Sequence, residues 1–157
     1  MDGSRSIGDG RTRRMDSTMK LRLCIPPIVL CILDQSITLL GQHSQYWKGN
    51  YQTAMEGCPP FHWLLQQHPL AFEAGIAVWI ALFSTVILLS PRWLAMAISI
   101  AIVIGHTWGT STWLLLRFGQ GYWLCIALFF MSGLLASLCY QQHQDKPLND
   151  TPVSGER

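Results

Sequence analysis

Asp34, Glu73 and His106 are the only acidic, basic or imidazole side chains inside four long apolar runs of this chain. In such surroundings a carboxylate and an imidazole can bond one another, pass protons, or hold a cation or metal. A charge near a bilayer centre costs about 2.5–3.5 kcal/mol on insertion scales, so such groups face a bundle interior or a wet cavity. Glu56 and His68 stand shortly before the second run and are placed to approach the same mouth. The candidate polar cluster is therefore Asp34, His106, Glu73, Glu56 and His68.

The elements that must position this cluster are the runs themselves, at 23–41, 71–90, 93–116 and 122–140. Crossing the hydrocarbon core takes about 20 mainly apolar residues in a helix. A transmembrane barrel would instead need many short segments alternating in hydrophobicity, and none is present. The fold class is an all-α polytopic integral membrane protein: a four-helix transmembrane bundle. A polar basic tail over 1–22 and a polar tail over 141–157 are expected to be disordered. The first run follows a long polar stretch without a small-residue cleavage pattern, so it is expected to be retained as a signal anchor.

Basic residues predict the orientation. Arg5, Arg11, Arg13, Arg14, Lys20 and Arg22 precede the first span, whereas the connection after it carries only Lys48. The positive-inside bias puts the N-terminus in the cytoplasm, and four spans return the C-terminus there. The connection over 42–70 then lies outside, and the expected location is a cell membrane.

The 157 residues carry a formal charge of +2, but the basic tail is interleaved with Asp2, Asp9 and Asp16 and holds no aromatic residue. No nucleic-acid partner is expected. The lipid bilayer is the expected partner, with a second copy or another membrane protein as the further candidate. Cys24, Cys31, Cys58, Cys125 and Cys139 form no C-x-x-C pair, so neither a redox motif nor a zinc finger is indicated. No cofactor is expected. The absence of G-x-S-x-G, a phosphate loop and a dinucleotide fingerprint leans away from an enzyme.

Within the first span, Pro26 and Pro27 mark a helix start or a kink. Downstream, Cys31, Asp34, Thr38 and Gly41 recur at three- and four-residue steps and share a face that should point inward. In the connection, Gly49-Asn50 signals a turn. Pro59-Pro60 opens a short amphipathic helix with Phe61, Leu64, Leu65 and His68 on one face. Glu73 sits in the first turn of span two, where the helix dipole favours a carboxylate. In span three, Ala97, Ala101, Gly105 and Gly109 form a small-residue spine of the kind that lets helices approach closely. That spine makes span three the expected central packing helix. Beside it run Ser99, His106, Thr110 and Trp113, with Trp108 expected to line the same interior.

Depth links the two central candidates. At 1.5 Å per residue, Asp34 lies about 10 Å below the outer end of span one and His106 about 16 Å below that of span three. A hydrogen bond between them is geometrically available if the two spans adjoin. Four readings of the cluster stand open. It can be a structural pair that fixes helix register, the polar wall of a groove for a ligand or partner, a proton- or ion-coupled transport site, or the metal site of a membrane-embedded hydrolase. The last lacks H-E-x-x-H or comparable ligand spacing.

Asp34 in the first span, followed by Glu56-Gly57-Cys58-Pro59 before the second, resembles a set of small bacterial polytopic membrane proteins. Those carry Asp in the first span and Glu-x-Asn-Pro in the following loop. Asp34, Glu56 and Pro59 match, and Cys58 replaces the Asn. The resemblance covers about the first half of the chain. It implies a bacterial inner-membrane location and a role for Asp34 and Glu56.

Overall fold

The computed structural model describes residues 6–141, with side chains over 20–140. Of the tails expected to be unstructured, 1–5 and 142–157 lie outside the described residues, whereas 6–22 is helical and continues into the first span as one α1 helix. The elements are α1 (Ser6–Leu40), α2 (Ser44–Trp47), a 3-10 turn (Tyr51–Thr53), α3 (Pro59–Gln67), α4 (Pro69–Leu89), α5 (Arg92–Arg117) and α6 (Gly121–Gln141). Four helical segments are long and apolar enough to cross a membrane: Lys20–Leu40, Pro69–Leu89, Arg92–Arg117 and Gly121–Tyr140. They form the expected all-helical four-span bundle, and α3 is the short helix expected after Pro59-Pro60.

α1 is the best-packed span, touching α4, α5 and α6. Its apolar window is 39% buried, against 33% for α5 and 17% for α6. Its inward stripe, Leu23, Pro27, Leu30, Cys31 and Thr38, follows the helical period. Pro26 and Pro27 lie inside the helix. A proline there removes the amide that would bond the carbonyl four residues earlier. For Pro27 that carbonyl belongs to Leu23, and the Ser99 hydroxyl on α5 donates to it at 2.7 Å. The same hydroxyl lies 2.8 Å from the Tyr140 hydroxyl at the end of α6. A helix defect in α1 is thus satisfied by its neighbours and ties three spans together.

The buried face of α5 is Ala95, Ser99, Val103, Thr107, Thr110, Ser111 and Leu114. This differs from the expected spine. Ala97, Ala101 and Gly105 are exposed, and a β-carbon at Gly105 would meet nothing within 4 Å. In lipid, hydroxyl side chains gain from a partner helix, and here Thr107 donates to Ser132 on α6 at 3.2 Å. α6 shows α5 only a thin seam of Cys125, Leu128 and Ser132. Most of the rest of α6, including Phe129, Phe130 and Met131, faces outward, while Gly121 packs on the Leu114 backbone and Tyr140 reaches Ser99.

The connection between α1 and α4 is folded down onto the bundle. Gly49 takes φ +94° at the expected turn. Tyr46 is fully buried and its hydroxyl donates to the Leu65 carbonyl of α3 at 3.1 Å. Burial pushes its pKa up to about 12, with Tyr51 adding to the effect. Leu65 is fully buried as well, with Phe61 and Leu64 packed against the same core.

Candidate functional site

Asp34 and His106 meet. The imidazole Nδ1 lies 2.9 Å from Asp34 Oδ2, joining the C-terminal third of the Lys20–Leu40 span to the middle of α5. On the far side of the ring, the Trp79 indole N–H of α4 donates to Nε2 at 3.4 Å. An indole nitrogen can only donate. With Nε2 accepting from the indole, the neutral ring carries its proton on Nδ1 and donates it to Asp34. Thr110 Oγ1 stands 3.2 Å from Asp34 Oδ1 and 2.8 Å from the His106 carbonyl, one turn back on its own helix. Its single hydrogen serves one of these acceptors at a time, so Asp34 is incompletely satisfied by neutral donors.

Gly109 makes room for this arrangement. A β-carbon there would lie 2.9 Å and 3.0 Å from the two Asp34 oxygens. The glycine thus admits a carboxylate rather than a neighbouring helix backbone.

Glu56 reaches the same place from the connection. Gln42, 7% exposed, holds this stretch of chain. Its side-chain oxygen accepts from the Met55 amide at 2.8 Å, and its nitrogen donates to the Met55 carbonyl at 2.7 Å. Glu56 then accepts from the Cys58 amide at 2.8 Å. Burial pushes the Glu56 carboxyl above the usual carboxylate range, the Cys58 amide opposes this, and the negative Asp34 adds to the rise.

The other two expected members lie apart. Glu73 is bonded to Gln35 across α1 and α4. His68 is exposed and caps α4, its Nδ1 accepting from the Leu70 amide at 3.1 Å, with Tyr51 edge-on to its ring. Neither lines the cavity described next.

That cavity has a volume of about 740 Å³ and lies between α4 and α5, against α1, with residues 56–58 and Phe61 over it. Asp34, His106 and Glu56 form its ionisable wall. Phe72, Ile76, Trp79 and Ile102 supply apolar surface. Ala101, Gly105 and Trp108 border it on the exposed side of α5. Trp108 is 69% exposed, so it stands at the rim and not in the interior. The small residues of α5 leave an opening toward the surroundings of the bundle.

Gln35, Gln42 and Trp79 are the contributors that the residue types alone do not single out. Each is neutral and of a kind common in spans or loops. For metal chemistry, no group of three His, Cys, Asp or Glu side chains among the described residues is arranged to hold an ion.

No family model, no curated protein and no solved structure matches this chain. The resemblance to small bacterial membrane proteins stands on Asp34, Glu56 and Pro59 alone. Two of those three line the cavity, and Pro59 begins the helix that covers it.

Proposed function

We propose that this protein is a membrane-embedded binding protein that takes a small ligand into the cavity between α1, α4 and α5, without chemical turnover. The observation that carries the reading is one cavity of about 740 Å³ that Asp34, His106 and Glu56 reach from α1, α5 and the connection, with apolar surface from Phe72, Ile76, Trp79 and Ile102 and neutral polar groups from Gln35, Thr38 and Thr112. Small-molecule sites are mostly apolar concavities with a few convergent polar groups, commonly several hundred Å³ in size. The Asp34–His106 bond sets α1 against α5, and the charge of the carboxylate serves the ligand. The proposed setting is a cell membrane with both ends of the span domain cytoplasmic, by the distribution of basic residues.

Proton- or ion-coupled transport is the second reading. Asp34, Glu56 and His106 border one cavity, and titratable groups in that position mark proton and ion pathways. A pathway through so small a bundle would call for a second copy.

Gly105→Phe tests the binding reading, since its β-carbon enters open space beside the cavity. Native mass spectrometry of the full-length protein in mild detergent should show a bound small molecule that the variant loses while keeping its melting temperature. The same bound species on both proteins would overturn the reading.

A further inference from the structure

We infer that the ligand is a lipophilic organic cation, an amine or onium group carrying apolar substituents. This rests on the binding reading above and names the class of molecule the cavity takes.

Charge favours a cation. Asp34 and Glu56 line the cavity, and among the described residues no lysine or arginine does. His106 has both ring nitrogens engaged, one by Asp34 and one by Trp79, so it offers the cavity no free donor. The charged acceptors of the cavity are Asp34 and Glu56, beside the neutral Gln35, Thr38 and Thr112. An anionic headgroup would meet the Asp34 and Glu56 carboxyls, and the nearest guanidinium, Arg117, lies over the Trp113 ring at the rim. A cation would meet Asp34 oxygens served by the His106 and Thr110 donors, and a Glu56 carboxyl whose Oε1 accepts from the Cys58 amide.

Aromatic surface favours one as well. Phe61, Phe72, Trp79, Trp108 and Trp113 border the same space. Aromatic faces carry negative quadrupole charge and attract cations, tryptophan most strongly. The molecule already shows this chemistry at the rim, where the Arg117 guanidinium lies 5.8 Å from the centre of the Trp113 ring. Carboxylates combined with aromatic walls favour a cation that is bulky and poorly hydrated over a small metal ion, which would need a denser set of oxygen ligands.

Access favours a lipophilic molecule. Ala101 and Gly105 lie mid-span on the exposed side of α5 and border the cavity. A molecule already partitioned into lipid can reach Asp34 from that side, so apolar substituents on the ligand are expected.

The test uses two probes of the same shape and opposite charge, tetraphenylphosphonium and tetraphenylborate. Each is titrated onto the full-length protein in mild detergent, and the signal counted is the part that Gly105→Phe removes. Tetraphenylphosphonium should bind saturably, at least about tenfold more tightly than tetraphenylborate. Asp34→Asn should weaken the cation by about tenfold or more, and Glu56→Gln, a change outside the spans, should weaken it in the same direction. Gly105→Phe-sensitive binding with equal or greater affinity for tetraphenylborate would overturn the cation inference and leave the binding reading intact. No Gly105→Phe-sensitive binding of either probe would overturn both.

Discussion

Asp34 occupies the space that a side chain on Gly109 would fill, with its carboxylate oxygens 2.9 Å and 3.0 Å from the position of a β-carbon there. Gly105, one turn earlier on α5, has nothing within 4 Å of that position. The two glycines of one G-x-x-x-G step therefore have different physical roles. Gly109→Ala should displace the carboxylate, disturb its bond to His106, and lower stability by about 1–3 kcal/mol, as overpacking does. Gly105→Ala should leave stability unchanged or raise it by up to about 1 kcal/mol, through helix propensity. Thermal unfolding of the two variants in one detergent separates them. Equal losses would contradict the distinction.

Ser99 and Pro27 form a second linked pair. The hydroxyl supplies the hydrogen bond that Pro27 cannot give to the Leu23 carbonyl. Ser99→Ala should strand that carbonyl and cost about 1–3 kcal/mol. Pro27→Ala restores an amide able to bond it within α1. In the Pro27→Ala background, Ser99→Ala should accordingly cost less. A double-mutant cycle reads this coupling directly, and additive losses would show that the hydroxyl does not act through the carbonyl.

Glu56 predicts a pH dependence. Its folded-state pKa is raised, chiefly by burial and further by Asp34. For a carboxyl raised on folding, the folded protein binds the proton more tightly than the unfolded chain. Its contribution is fully present below the unfolded pKa and is lost as pH rises through the folded one. Stability should therefore fall with rising pH just above the usual carboxylate range. Glu56→Gln keeps an acceptor for the Cys58 amide and should flatten that fall. Melting temperatures of the two proteins across mildly acidic pH check this, and an unchanged slope would contradict it.

The spans were legible because about 20 apolar residues have one economical fold in a bilayer. The Asp34–His106 pair was legible because two polar groups at matched depth on parallel spans have few other partners. The packing face of α5 differs from the small-residue spine for a physical reason. Ala97, Ala101 and Gly105 have the spacing of a helix contact, but small residues equally leave an opening when no helix is opposite. Ser99, Thr107, Thr110 and Ser111 were the better signal, since hydroxyls in lipid turn toward protein partners. Glu73 and His68 were grouped with the cluster by proximity in sequence, and local partners hold them instead: Gln35 for Glu73, and the Leu70 amide for His68. Trp79 and Gln42 carry no pattern that marks their roles, because those roles depend on which helices become neighbours.

The central claim is that the Asp34 charge serves a ligand, whereas its hydrogen bond serves the bundle. Asp34→Asn separates the two, since an amide oxygen can still accept from His106 Nδ1. The decisive measurement is the melting temperature of full-length Asp34→Asn, His106→Ala and the double variant. The account predicts an Asp34→Asn midpoint equal to or above wild type, because charged functional groups are held at a cost to stability. Strong destabilisation by each single change, with little added by the second, would make the pair a coupled structural unit and contradict the claim.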